Sequence, residues 1–151
     1  DKDAFSDLKA LNQEELSVGY LTQTQVNQLK RNLKDMFNSG KGIRYLSASL
    51  VEDKVIPDLY KFDEEDNKVL VLDSSTRAVM VARTETTRVA SLGLLDNYKE
   101  NGIEKVRWRA AISDRTCPIC MGYNGSVYEI FSTPEQPAHV NCRCTYTAVV
   151  E

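Results

Sequence analysis

All four cysteines and the single histidine of this 151-residue chain lie between positions 117 and 144. Two residues separate Cys117 from Cys120, and Pro118 stiffens the turn between them, so both sulfurs aim at one point. Such a knuckle is half of a tetrahedral zinc site. The run His139-Val-Asn-Cys142-Arg-Cys144 offers the other half. His139 and Cys142 have the spacing of a turn, whereas Cys142 and Cys144 would face one side of a strand. Five donors therefore compete for four seats. The reading adopted is Cys117, Cys120, His139 and Cys142, with Cys144 a rival for either of the last two. The residue left over would sit beside the metal as a hydrogen-bond partner or a buried thiol.

Two disulfides, in any of three pairings, are the alternative use of four cysteines. A Cys-x-x-Cys pair is more often redox-active or metal-bound than a structural bridge. Few large apolar residues lie between Asp114 and Asn141, so this stretch needs a staple, and a closed zinc site supplies one. Catalytic zinc needs an open seat and a nearby acid or base. The deaminase arrangement adds an upstream His-x-Glu, and no histidine precedes Cys117. His139 belongs to the same cluster, which leaves no separate Cys/His nucleophile pair. There is no Gly-rich phosphate loop and no Ser-His-Asp set. The expectation is structural Zn2+, no enzyme and no small-molecule substrate.

Hydrophobic content of 42% with 27% charged residues is the balance of a globular protein. No apolar run approaches a membrane span, and Asp1-Lys-Asp-Ala4 lacks the regions of a signal peptide. A net charge of −3 argues against a generic nucleic-acid clamp. After Asn101, Lys105, Arg107, Arg109, Arg115 and Arg143 are matched by Glu104, Asp114, Glu129, Glu135 and Glu151. Arg107 and Arg109 remain candidates for a local basic face and a DNA contact.

The elements that must carry this cluster read as α+β, helices first and a compact antiparallel β module last. Ala4, Phe5, Leu8 and Leu11 follow helical spacing, as do Val26, Leu29, Leu33, Met36 and Phe37. Thr22 or Thr24 caps the second helix and Gly40 stops it. Ile43, Leu46 and Leu50 give a short amphipathic segment, while Val69-Leu-Val-Leu72 fits a strand or a helix. Residues 1–72 are taken as a helical region. Asp73-Ser-Ser75 then caps a long helix from about Thr76 to about Glu100, stopped by Asn101-Gly102. Val106, Trp108, Ala110 and Ile112 alternate as a half-buried strand, which makes Trp108 core. Asn124-Gly125 marks a hairpin before Ser126-Val-Tyr-Glu-Ile130, and Thr145–Val150 forms a closing strand. The zinc module spans residues 103–151. Glu85 interrupts the buried stripe Ala78, Ala82, Val89 and Leu92, so it needs a partner, either Arg88 or the Trp108 indole. It is read as a structural anchor rather than a catalytic carboxylate. Arg83, on the opposite side, is a solvated charge with Asp114 as an optional partner.

The series Ala82-Arg-Thr-Glu-Thr86, Tyr98-Lys-Glu-Asn-Gly102, Trp108, Asp114-Arg-Thr-Cys-Pro-Ile-Cys120, Gly125 and His139-Val-Asn-Cys-Arg-Cys144 resembles the phage Mu F-like minor head protein family, or head-morphogenesis domain. The resemblance covers residues 79–150. It implies a non-enzymatic minor capsid protein of a tailed phage or prophage, located in the virion at the head interior or portal vertex. The partners it implies are portal and capsid or scaffold proteins, with double-stranded DNA as a further one for packaging or ejection. Arg83, Arg107 and Arg109 would be the interaction residues.

Overall fold

The computed structural model describes residues 21–150. The helix expected around Ala4 to Leu11 lies outside them. The described residues form two compact units, 21–83 and 84–150, with one helix running through the division.

In the first unit, α1 (Gln23–Asn38) and α2 (Ile43–Glu52) pack on each other. Thr22 caps α1 through a capping box: its side chain accepts from the Gln25 amide, and the Gln25 side chain accepts from the Thr22 amide. Val26, Leu29, Leu33 and Met36 are buried as their spacing predicts, but Phe37 falls off the stripe and is exposed. Asn32 is buried with them, its amide donating to Ser49 (3.1 Å) and Asp53 (2.9 Å) on and after α2. This pairing removes the cost of placing an amide in an apolar interface. Both helices end on the same device. Gly40 has φ +66°, and amides 40 and 41 bond carbonyls 37 and 36. Lys54 has φ +52°, with amides 54 and 55 on carbonyls 51 and 50. Each is a Schellman closure, which needs a left-handed residue.

Next comes an antiparallel hairpin, β1 (Leu59–Phe62) and β2 (Lys68–Leu72). It resolves the ambiguous segment 69–72 as strand and adds β structure to a stretch read as helical. Too short for periodicity to decide, the segment takes its state from pairing with residues 59–62. The register puts Tyr60, Phe62 and Leu70 on one face, where they are 43%, 66% and 51% exposed.

The long helix α3 (Ser74–Glu100) starts at Asp73, whose carboxylate accepts from the Ser75 and Thr76 hydroxyls and the Thr76 amide. These bonds, the Ser75 hydroxyl first, hold the Asp73 carboxyl well below the usual range. The helix ends at Gly102 (φ +73°) in a third Schellman closure.

The second unit adds a three-stranded antiparallel sheet, ordered β4 (Val127–Glu129), β3 (Lys105–Arg109), β5 (Thr145–Val149). Val106 and Trp108 point into its core with Tyr146, while Arg107 and Arg109 take the opposite face. The strand stops at Arg109, so Ile112 lies beyond the alternation and is 67% exposed. Asn124-Gly125 turns the chain from α4 (Pro118–Tyr123) into β4 rather than joining two strands. Gly125 still supplies the positive φ (+82°) that its turn needs, and the Asn124 side chain accepts from the Ala110 amide (3.0 Å).

Lys54 is the one of these three left-handed closures made without glycine. A Cβ there costs about 1–2 kcal/mol, of which glycine returns part as unfolded-chain entropy. Lys54→Gly should therefore raise stability by about 0.5–1 kcal/mol in urea unfolding. A loss of stability would show that the Lys54 side chain contributes more than the strain.

Candidate metal centre

Cys117 is the N-cap of α4, with Pro118 at the first helical position, where a missing amide proton costs nothing. Its sulfur accepts from the Cys120 amide at 3.4 Å, and that bond lowers the Cys117 pKa toward the thiolate. Burial pushes the Cys120 and Cys144 thiols up. The helix turn thus brings both knuckle sulfurs to one side, as their spacing predicted.

The second half comes from an irregular loop entering β5. Its turn is closed by the Cys142 amide on the His139 carbonyl (3.2 Å), with Asn141 in the left-handed region (φ +63°). His139 Nδ1 lies 2.7 Å from the Val140 carbonyl, so it is the protonated nitrogen. Nε2 lies 3.1 Å from Cys120 Sγ. A histidine oriented through its other nitrogen is the usual posture of a metal ligand.

The five donors fall into two triads, Cys117–Cys120–His139 and Cys120–Cys142–Cys144, each with donor atoms within 4.8 Å of one another. Cys120 belongs to both, and its sulfur is 3.9 Å from that of Cys142. Tetrahedral zinc, with bonds of about 2.3 Å to sulfur, spaces two sulfurs about 3.8 Å apart. Either triad has donor atoms close enough together that it could hold a metal ion. Cys120, Cys142 and Cys144 are buried in one core with Val106, Trp108, Ile130 and Tyr146. Trp108 meets Tyr123 at a tilt (4.8 Å between centroids) and Tyr146 edge-on (5.7 Å). Burial pushes the Tyr146 phenol up to about 12.

The remaining predicted residues are spread around this core. Glu85 is fully buried and paired with Arg88 within α3 at 3.0 Å. The Trp108 indole N–H has no hydrogen-bond partner among the described residues, so it does not serve Glu85. Arg83 is half-buried on α3. Arg107 is half-buried and Arg109 exposed on the outer face of the sheet, the latter donating to the Thr147 hydroxyl (3.4 Å). Residues not anticipated are Thr84, Thr87 and Ser91 on α3. Their hydroxyls bond the segment 136–142, and their three- and four-residue spacing was the available signal.

A family model described as phage Mu protein F like protein matches residues 21–147. It starts well ahead of residue 79, so the helices and hairpin of the first unit fall inside the match. No curated protein and no solved structure matches the chain.

Removing one member of a buried ion pair leaves the other uncompensated, at about 3 kcal/mol. Glu85→Ala should cost that much in urea unfolding, and Glu85→Gln clearly less. Equal stability of Glu85→Ala and the parent would remove Glu85 from the structural role.

Proposed function

This chain belongs to the phage Mu protein F like family, and on that premise we propose that it is a minor head protein of a tailed phage or prophage. Membership is the observation that carries the reading. Its place is the virion, at the head interior or portal vertex, and its partners are portal and capsid or scaffold proteins. The exposed apolar face of the β1–β2 hairpin supports a protein partner, because a two-stranded sheet is marginal alone in water. Among the described residues no helix is long and apolar enough to cross a membrane.

The metal is structural Zn2+, held by Cys117, Cys120, His139 and Cys142, with Cys144 the competing sulfur. Thiolate and imidazole are the donors zinc prefers, and the 3.9 Å sulfur separation suits its tetrahedron. Each thiol ligand gives up its proton on binding, so affinity falls as pH drops. Cys120, Cys142 and Cys144 are buried and Cys117 and His139 half-buried, a degree of enclosure that favours a staple over a catalyst.

Native mass spectrometry should find one zinc per chain, and Cys120→Ser should abolish it because Cys120 serves both triads. Deleting the gene should yield empty, unstable or non-infectious heads, rescued by the parent gene and not by Cys120→Ser. Metal-free protein with an intact fold would overturn the zinc assignment. Normal infectious particles without the gene would overturn the head role.

A second reading, a duplex-DNA contact, is favoured by the row Lys105, Arg107 and Arg109 along β3. Phosphate contacts make binding salt-dependent in proportion to their number. Alanine at both Arg107 and Arg109 should weaken duplex binding and reduce the salt slope by about 2, read by fluorescence anisotropy. No affinity of the parent protein at low salt would discard this reading.

A further inference from the structure

Thr84, Thr87 and Ser91 stand three and four residues apart on α3, which puts their side chains on one stripe. All three are bonded to the same stretch of chain. Thr84 Oγ1 accepts from the Asn141 amide at 3.0 Å. Thr87 Oγ1 donates to the Cys142 carbonyl at 2.9 Å. Ser91 Oγ donates to Gln136 Oε1 at 2.9 Å, with both residues buried. Residues 131–144 contain neither helix nor strand, so no backbone ladder fixes the loop that carries His139 and Cys142. Helical Thr and Ser hydroxyls often bond back to their own helix. Here each of the three hydroxyls also reaches the loop.

We infer that Thr84, Thr87 and Ser91 form a hydroxyl clasp that presets the His139–Cys142 half of the metal site. The inference rests on the metal-binding reading above. These bonds run to the Asn141 amide, the Cys142 carbonyl and the Gln136 side chain rather than to the donor atoms, so the three act as positioning residues. Two bonds fall at Asn141 and Cys142 themselves, the end of the turn that aims the Cys142 sulfur toward Cys120. Without the clasp, ordering of the loop must be paid at the moment the metal binds, which lowers affinity. Coupling of this kind is reciprocal, so the bound metal holds the loop on α3 as firmly as α3 prepares the loop.

The test uses the full chain with zinc alone, competed against a chromophoric chelator. Thr84→Val and Thr87→Val keep shape and delete the hydroxyl; Thr84→Ser and Thr87→Ser restore it. Each valine variant should bind zinc about 10-fold or more weakly, within the 10–100-fold range known for groups behind metal ligands. Each serine variant should stay near the parent. The thiolate-to-cobalt charge-transfer band of cobalt-loaded protein should keep its intensity per bound ion, because the ligands are unchanged. Should buried Thr84→Val fail to fold, half-buried Thr87→Val and Ser91→Ala carry the same comparison. A parent chain that takes up no zinc removes the metal reading and the clasp with it. A parent that binds zinc, beside valine variants of equal affinity or serine variants as weak as valine, overturns the clasp alone.

Discussion

The second unit is organised around sulfur. Its core sets Val106, Trp108, Ile130 and Tyr146 against Cys120, Cys142 and Cys144. Those sulfurs bring together two chain segments that belong to no sheet. One is the six-residue α4, too short to be stable by itself, and the other is the irregular approach to β5. A three-stranded sheet with strands of three to five residues gives only one packed face. Beyond that face, the knuckle and the loop meet at Cys120, whose sulfur lies 3.1 Å from His139 Nε2 and 3.9 Å from Cys142 Sγ. Burial raises the Cys120 and Cys144 thiols, whereas the Cys120 amide lowers Cys117. The cluster thus combines one sulfur shifted toward the thiolate with two held toward the thiol.

Around that point the polar groups are arranged to keep backbone direction fixed. His139 uses Nδ1 on the Val140 carbonyl, which leaves Nε2 for Cys120. Thr84 and Thr87 satisfy an amide and a carbonyl of the loop that no ladder could satisfy. The segment Ala82-Arg-Thr-Glu-Thr86 therefore has two physical tasks: Thr84 holds the loop, and Glu85 with Arg88 fills a buried polar position on the same helix. Neutral hydroxyls suit the first task, since they donate or accept without bringing a charge into the core.

Much of this was legible from local rules. Capping at Thr22 and Asp73, stops at Gly40 and Gly102, and burial of Val106 and Trp108 all follow from chemistry within a few residues. The knuckle was legible because Cys117, Pro118 and Cys120 lie within four consecutive residues. What escaped depended on partners distant in sequence. Segment 69–72 becomes a strand only because residues 59–62 lie beside it. Ile112 seemed to continue an alternation whose pairing partners had already ended at Thr145. Asn124-Gly125 was correct as a turn and incorrect as a hairpin, because the residue types specify a positive φ and not the elements on either side. Lys54 shows the converse: a Schellman closure takes a left-handed residue where the sequence offers no glycine.

Charge is where the same contrast matters most for function. Residues 101–151 carry five basic and five acidic side chains, a balance that says nothing about direction. The strand period sorts them. Lys105, Arg107 and Arg109 take one face of β3 because Val106 and Trp108 take the other. Across the register, Lys105 faces Glu129, but Arg107 faces Val127 and Thr147, and Arg109 faces Thr145. The acids Asp114 and Glu135 belong to loops outside the sheet. Two arginines are thus left on an outer face without a carboxylate opposite them in the sheet, on the strand whose inner face builds the core shared with the cysteines. Rigidity at the core and the aim of the arginines are set by the same five residues, so loosening one would blur the other.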